Sequence, residues 1–348
     1  MKNIFILIAV LFTCLSLLGQ SPNDFIENAK NVNSNFIVYE LNLEKNQLEY
    51  DKSLIQAMNR KAEIAAEITR LNGENQTQGN LSAFYSELLT DIFEVKNQEI
   101  KSAISEISLK IAKLDYTDNQ NLFEKGLISS NTLQNASITL RDSQTDLEQV
   151  KGDLEIALKN FKEDTGIQWQ PMEIFIPVYD KYLIKDEKWL ENAKAYQISQ
   201  YNLEMAEFDM KNLSVNASQY DKRLAEISLR QKEIDLALSK EKALDQKRDF
   251  EDSLYFLKKQ IETVKERLSL SKSDLEDVKV RHVKGLVSDT ELYNQEKAYL
   301  NVLSQYNTTL KSFWTTLSSY VINSYQDVVD DVLRENLEKV EFEASKNE

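Results

Sequence analysis

NLFEKGLISSNTLQNASITLRDSQTDLEQVKGDLEIALKNFKEDTG, residues 121–166, is answered 159 residues later by VRHVKGLVSDTELYNQEKAYLNVLSQYNTTLKSFWTTLSSYVINSY, residues 280–325. The shared head is Lys-Gly-Leu-(Ile/Val)-Ser, at Lys125–Ser129 and again at Lys284–Ser288. Behind the first head Leu133, Leu140, Leu147, Leu154 and Phe161 stand seven apart; behind the second, at the same offset, stand Leu292, Tyr299, Tyr306, Phe313 and Tyr320. Ala136, Ser143, Val150 and Ala157 fill the intermediate positions of the first copy. Apolar residues spaced alternately three and four apart make one seam on a helix, and such a seam is buried by another helix. A glycine at the head supplies the left-handed backbone on which one helix ends and the next begins. The pattern predicts a helical hairpin made twice.

Working outward, Phe93, Ile100, Ile107 and Leu114, with Ile104 and Ile111 between them, predict the helix that descends to Gly126. From Ser86 to Asn121 it would span about 50 Å. Upstream, Asn23 or Asp24 can cap a helix running to about Leu71, and the polar, Gly-containing LNGENQTQGN at 71–80 is expected to reverse the chain. Phe25-Ile26-Glu27-Asn28-Ala29-Lys30 recurs as Trp189-Leu190-Glu191-Asn192-Ala193-Lys194, so the repeat is a whole unit of about 160 residues and not the hairpin alone. Thr165-Gly166 ends the first unit, and Pro171 and Pro177 bracket an alternation of Met172, Ile174, Ile176 and Val178, the one stretch that reads as extended. The second unit has neither Gly nor Pro from Trp189 to Val280; its reversal is expected on polar residues alone, near Asn212–Ser218. The helix beyond, Lys222–Val280, would then reach about 90 Å. The organisation expected is a signal segment 1–19, a first helical unit 20–166, a linker 167–187, a second unit 188–325 and an acidic tail 326–348.

Seven Gly and three Pro among 348 residues leave little punctuation for ordinary loops, and long helices are the natural consequence. A net charge of −15 argues against nucleic acid and against a general affinity for anionic lipid. The N-terminus has the parts of an export signal: Lys2, an apolar run Ile4–Leu18, then Gly19 and Gln20 before polar residues. The only cysteine, Cys14, lies within that run, either as part of the signal core or, in Leu11-Phe12-Thr13-Cys14, as a candidate lipidation site. An enzyme is not indicated. There is one histidine, His282, no Gly-rich phosphate loop and no nucleophile, base and acid set to assemble, so neither a cofactor nor a metal is expected. His282 reads as part of the packed seam, and so do Tyr299, Tyr306 and Tyr320.

The export signal, the tandem units and the motif (aromatic)-x-x-Gly-Leu-(Val/Ile)-(small) together resemble the TolC-like outer-membrane factors, the exit ducts of type I secretion and multidrug efflux. Phe123-Glu124-Lys125-Gly126-Leu127-Ile128-Ser129 fits the motif; in the second unit His282 replaces the aromatic residue and Ser324-Tyr325 stands where a closing Gly would fall. The resemblance implies a mostly α fold of duplicated coiled-coil hairpins forming a helical tunnel. It implies a homotrimer that works with a periplasmic adaptor protein and an inner-membrane pump, exported to the periplasm in association with the outer membrane. By the same carry-over Lys125, Gly126, Leu127, Lys284, Gly285 and Leu286 are the adaptor-docking tips, and Glu291 and Asn294 stand where family members ring the pore entrance.

Members that cross the outer membrane carry strands of about 9 to 11 alternating residues at the far ends of the hairpins. Here those places, read as 72–80 and 212–220, hold polar sequence without that alternation. The expectation is a tunnel with little or no β-barrel. A rival reading is a periplasmic coiled-coil scaffold or adaptor-like interaction protein without transport activity.

Overall fold

The computed structural model describes residues 22–171, 176, 178–324, 330 and 332. The signal-like segment with Cys14, Met172 and Ile174 of the alternating stretch, and the acidic tail apart from Asp330 and Val332 lie outside the described residues. Among the described residues there is no strand. The helices are α1 (Pro22–Val32), α2 (Ser34–Gln56), α3 (Arg60–Glu124), α4 (Ser130–Thr165), a 3-10 turn (Tyr179–Tyr182), α5 (Asp186–Asn192), α6 (Lys194–Lys211), α7 (Gln219–Val283) and α8 (Asp289–Asn323).

The long helices α3 and α7 are each 65 residues, about 98 Å. Both ends of α3, at 60 and 124, recur 159 residues on, at 219 and 283 in α7. The duplication seen in the text is therefore a duplication of helix boundaries. Each long helix is flanked by shorter ones laid along it, so the chain makes a wall four helices across. Toward the glycine heads the neighbours run α4, α3, α8, α7; toward the opposite end they run α2, α3, α6, α7. The heptad seams account for this. Ala157 and Phe161 of α4 and Leu254, Ile261, Val264, Leu275 and Val278 of α7 are buried at the spacing the sequence set. Because α3 has helices on two flanks, its buried positions widen to include Tyr85, Leu88, Leu89, Ile92 and Val95 beside Phe93, Ile100 and Ile107.

Two expectations about the first unit are corrected. LNGENQTQGN does not reverse the chain: residues 71–80 lie within α3. A Cβ on Gly73 would lie 2.6 Å from Asn46 Cγ, so this glycine lets α2 approach α3 closely instead of opening a loop. Burial of Leu71 and Thr77 against the neighbouring helices outweighs the roughly 1 kcal/mol that an interior glycine costs a helix. The reversal falls instead at 57–59, where Asn59 caps α3 by accepting from the Ala62 N–H at 2.9 Å. The upstream helix does not run unbroken from Asp24 to Leu71 either. It is interrupted at Asn33, whose side chain accepts from Asn35 N at 2.9 Å and donates to Glu87 Oε2 at 3.0 Å, and it ends at Gln56. The second reversal lies where it was expected, between Lys211 and Gln219, closed by a capping box in which Ser218 and Asp221 satisfy each other's backbone N–H.

The wall is thickest at mid-length, where the echoed hexamers become α1 and α5. In the first, Ile26 and Ala29 are fully buried; in the second, Trp189 is. α1 packs on α4 and α5 on α7. Trp189 Nε1 donates to the Ala243 carbonyl at 2.8 Å, and its ring lies 5.3 Å from that of Tyr320. The linker closes over this core, with Tyr179 set edge-on to Phe313 and the Ile184 N–H donating to Tyr320 Oη at 2.9 Å. Lys247, almost fully buried, reaches Asp186 at 2.9 Å and Glu251 at 2.8 Å. Burial opposes its charge, but these two hydrogen-bonded carboxylates prevail and hold its pKa above the usual lysine value.

Candidate functional site

The two hairpin tips are built alike, bond for bond. In the first, Gly126 N donates to Phe123 O at 2.8 Å and Leu127 N to Leu122 O at 2.9 Å; in the second, Gly285 N donates to His282 O at 2.8 Å and Leu286 N to Arg281 O at 3.0 Å. These pairs are the two bonds of a Schellman ending, and they require a left-handed residue at the glycine. The φ angles are 71° and 70°. Three residues after each glycine Ser129 and Ser288 cap the returning helices, accepting from Thr132 N at 3.2 Å and Glu291 N at 3.1 Å. The N–H groups of Lys125, Gly126 and Leu127, and of Lys284, Gly285 and Leu286, are thus satisfied by the helix that ends there, and the tip side chains are left to solvent. Lys125 and Lys284 are exposed, and Leu127 and Leu286 are 67% and 68% exposed.

The tips differ in what surrounds them. The first is apolar, with Leu122 and Phe123 exposed beside Leu127. The second exposes Val280 and Val283 beside Leu286 and adds two ion pairs: His282 Nε2 meets Asp289 Oδ1 at 2.6 Å and Arg281 Nη2 lies 3.6 Å from Glu291 Oε1. His282 is therefore not simply a seam residue, as the heptad phase implied; it bridges the turn to the first residue of α8. Glu291 and Asn294 both stand exposed in the first two turns of α8, and Glu291 faces a cation of its own chain. The sequence carried a signal for these two pairs that periodicity does not read: cations just before Gly285 and acids just after it.

A second electrostatic feature lies at mid-length. Asp91 of α3 is largely buried, and its Oδ2 has no hydrogen-bond partner. Burial first, then the Asp164 carboxyl at the end of α4 and Glu87 on its own helix, push its pKa up to about 7 against the opposing pull of Lys311 on α8. Asp164 is raised as well, by burial and Glu87. Glu87 itself accepts from the side-chain amides of Asn33 and Asn35 at 3.0 and 2.7 Å. A cleft of about 440 Å³ opens nearby between α2, α3 and the end of α8, lined by Phe36, Tyr39, Arg70, Gln78 and Tyr85 among others. Its charges are paired, Glu74 with both Arg70 and Lys194. Among the described residues no three His, Cys, Asp or Glu side chains are grouped to hold a metal ion.

No family profile and no curated protein matches the chain. Solved structures do. The outer-membrane channel OprN superposes with a TM-score of 0.60 at 11% identity, over 85% of this chain and 89% of that one. The Campylobacter jejuni CmeC outer membrane channel gives 0.54 at 12%, over 91% and 89%. The outer membrane protein VceC of Vibrio cholerae gives 0.54 at 11%, over 85% and 95%. At these identities the likeness is one of fold: a mostly α wall of duplicated long hairpins, as in the helical tunnels of these channels.

Proposed function

For a chain that carries the helical-tunnel fold of the TolC-like outer-membrane channels, we propose that it is the periplasmic duct component of an efflux or type I secretion system. Three copies close a ring of hairpins, and the tips Lys125-Gly126-Leu127 and Lys284-Gly285-Leu286 dock a periplasmic adaptor that couples the duct to an inner-membrane pump. The single observation that carries this reading is the pairing of two matching Schellman tips at one end of one wall, each with its leucine exposed. A helical spacer has no need of matched, protruding leucines; a ring that must meet the hairpins of another ring does.

Ring closure has support of its own. α2 leaves Val38, Leu41 and Leu48 exposed along one side of the wall, and α7 leaves Leu224, Ile227, Ile234 and Leu238 exposed along the other, both at heptad spacing. Each stripe lacks a neighbour within the chain, and one edge laid on the other edge of a second copy buries both. Such a contact is head-to-tail and closes only as a ring. Glu291 and Asn294 stand at the tunnel entrance in this arrangement, with Arg281 moderating the charge of Glu291. The two units, 20–166 and 188–325, then alternate around the ring.

The test is oligomeric state together with adaptor capture. The chain should sediment as a trimer, and Gly126→Asp with Gly285→Asp should abolish cross-linking to a cognate adaptor at unchanged helix content. A monomer or dimer over a wide concentration range overturns the duct. Adaptor capture that survives the double substitution overturns the tip assignment. The scaffold reading draws on the lack of any strand among the described residues; it is separated from the duct by whether the chain restores efflux to a cell lacking its own exit duct.

A further inference from the structure

At mid-length the two units make the same joint from different chemistry. Offset by 159 residues, Glu87, Asp91 and Asp164 of the first unit correspond to Gln246, Phe250 and Asn323 of the second. In the second, Gln246 Nε2 lies 3.5 Å from Asn323 Oδ1, and the ring of Phe250 stands 6.2 Å from those of Trp189 and Tyr320. None of these three side chains can ionise. In the first unit all three positions are acids. Glu87 and Asp91 are one turn apart on α3, and Asp164 falls in the last turn of α4, where the helix dipole disfavours an anion.

The donors around the three acids are spent elsewhere. The amides of Asn33 and Asn35, at the break between α1 and α2, both go to Glu87. Lys30 of α1 is held by Asp330 and Glu27. Lys311 of α8 attracts Asp91 by charge, but burial, Asp164 and Glu87 outweigh it, and Glu163 adds its charge to the field at Asp164. No group of the chain donates to the buried Asp91 Oδ2. The carboxyls of Asp91 and Asp164 nonetheless lie within hydrogen-bond reach of each other. Two carboxylates have no hydrogen to share; a carboxylic acid and a carboxylate do. The missing donor is a proton.

We propose that Asp91 and Asp164 share one proton that clasps the end of α4 to α3, and that losing this proton to water frees the end of α4 in the first unit only. The clasp secures the point where the chain leaves the hairpin for the linker. Phe161 is buried there, with Trp169 edge-on to it at 5.0 Å, and Gly166 turns the chain away against Val32. With the proton gone, two like charges face each other in one low-dielectric space, and one element must yield. α3 is packed by α2, α4, α6 and α8, so the last turn of α4 is the part able to move. The proton is held at low pH and released as the pH passes about 7, the raised value of Asp91. In the second unit the amide pair stays neutral throughout. The device belongs to a single chain and stands whether or not the ring closes.

The experiment is amide hydrogen exchange of the full chain at pH 5 and pH 8, read by mass spectrometry on segments 158–167 and 317–324 and corrected for the intrinsic pH dependence of exchange. Corrected opening of 158–167 should rise at least about tenfold between the two pH values. The matching end of α8, 317–324, should change by less than about twofold. Asp91→Asn supplies a permanent donor to Asp164, so it should hold 158–167 near the slow parent value at both pH values, and Asp164→Asn should do the same. Opening of 158–167 that does not rise with pH, an equal rise in 317–324, or an Asp91→Asn chain that opens as readily as the parent at pH 8 overturns the proposal. The comparison of the two segments within the parent needs no substitution and decides the matter even if both variants fold poorly.

Discussion

Gly126 and Gly285, 159 residues apart, hold the same left-handed backbone, φ 71° and 70°, and at neither would an added Cβ meet any atom within 4 Å. The demand for glycine is therefore conformational and not steric. Alanine at either position should cost about 1 kcal/mol, and asparagine, which tolerates the left-handed region better, about half that. Urea midpoints of the four single variants would check this; equal costs for Ala and Asn would place the origin elsewhere than in φ.

Asp91 predicts a pH dependence. Its pKa in the folded chain is about 7, raised by burial and then by Asp164 from an ordinary value near 3.8. The proton it keeps favours the folded state fully below about pH 3.8, and this contribution is lost as the pH rises through about 7. Asp91→Asn should therefore leave stability nearly unchanged at pH 4 and raise it at pH 8, on the order of 1–2 kcal/mol given partial solvent access. Melting temperatures of parent and variant at the two pH values decide it. A variant less stable than the parent at pH 8 would mean that Lys311 holds the ionised form.

Trp189 joins α5 to α7 through the bond from its Nε1 to the Ala243 carbonyl. Trp189→Phe keeps most of the apolar volume and loses only the side-chain bond to the Ala243 carbonyl, which lies within the continuous helix α7 and keeps its helical bond, so it should cost about 0.5–1 kcal/mol. Trp189→Ala also opens a cavity beside Tyr320 and should cost about 3–5 kcal/mol. Denaturant unfolding with the m-value held constant separates the two effects.

The exposed stripes on α2 and α7 make a paired prediction. Leu48→Asp and Ile234→Asp lie on opposite edges of the wall, far apart in one chain, yet each should convert a trimer to monomers, because each removes one half of the same contact. Light scattering after gel filtration measures the mass, and circular dichroism should show helix content unchanged. If only one of the two dissociates the ring, the edges do not meet each other.

Much of the fold was legible before any coordinates. The heptads of α4 and α7 named buried residues, the twin heads named the tips, and the hexamer echo named α1 and α5. Legibility failed at positions where a neighbour decides. Gly73 and Gly79 look like a loop because, along a single helix, two glycines in a polar decapeptide are costly. α3 runs through them because α2 and α6 press on it there. Ala57-Met58-Asn59 looks like more helix, and it turns because α2 has reached the end of the wall. At the candidate site, the exposed leucines and the left-handed glycines followed from the text. The Arg281–Glu291 and His282–Asp289 pairs did not, since they join residues ten and seven apart across a reversal that periodicity treats as an interruption.

The sequence by itself determined the local chemistry: which residues form helices, where two of those helices must end in glycine, and that one unit is made twice. Those are properties of near neighbours along the chain, fixed by φ, ψ and the 3.5-residue seam. Tertiary structure alone decided that α3 and α7 span the full length of the wall, that both reversals meet at one end, and that Asp91 is driven to hold its proton. Each of these depends on residues distant in sequence sharing one low-dielectric space, and no window along the chain contains them together.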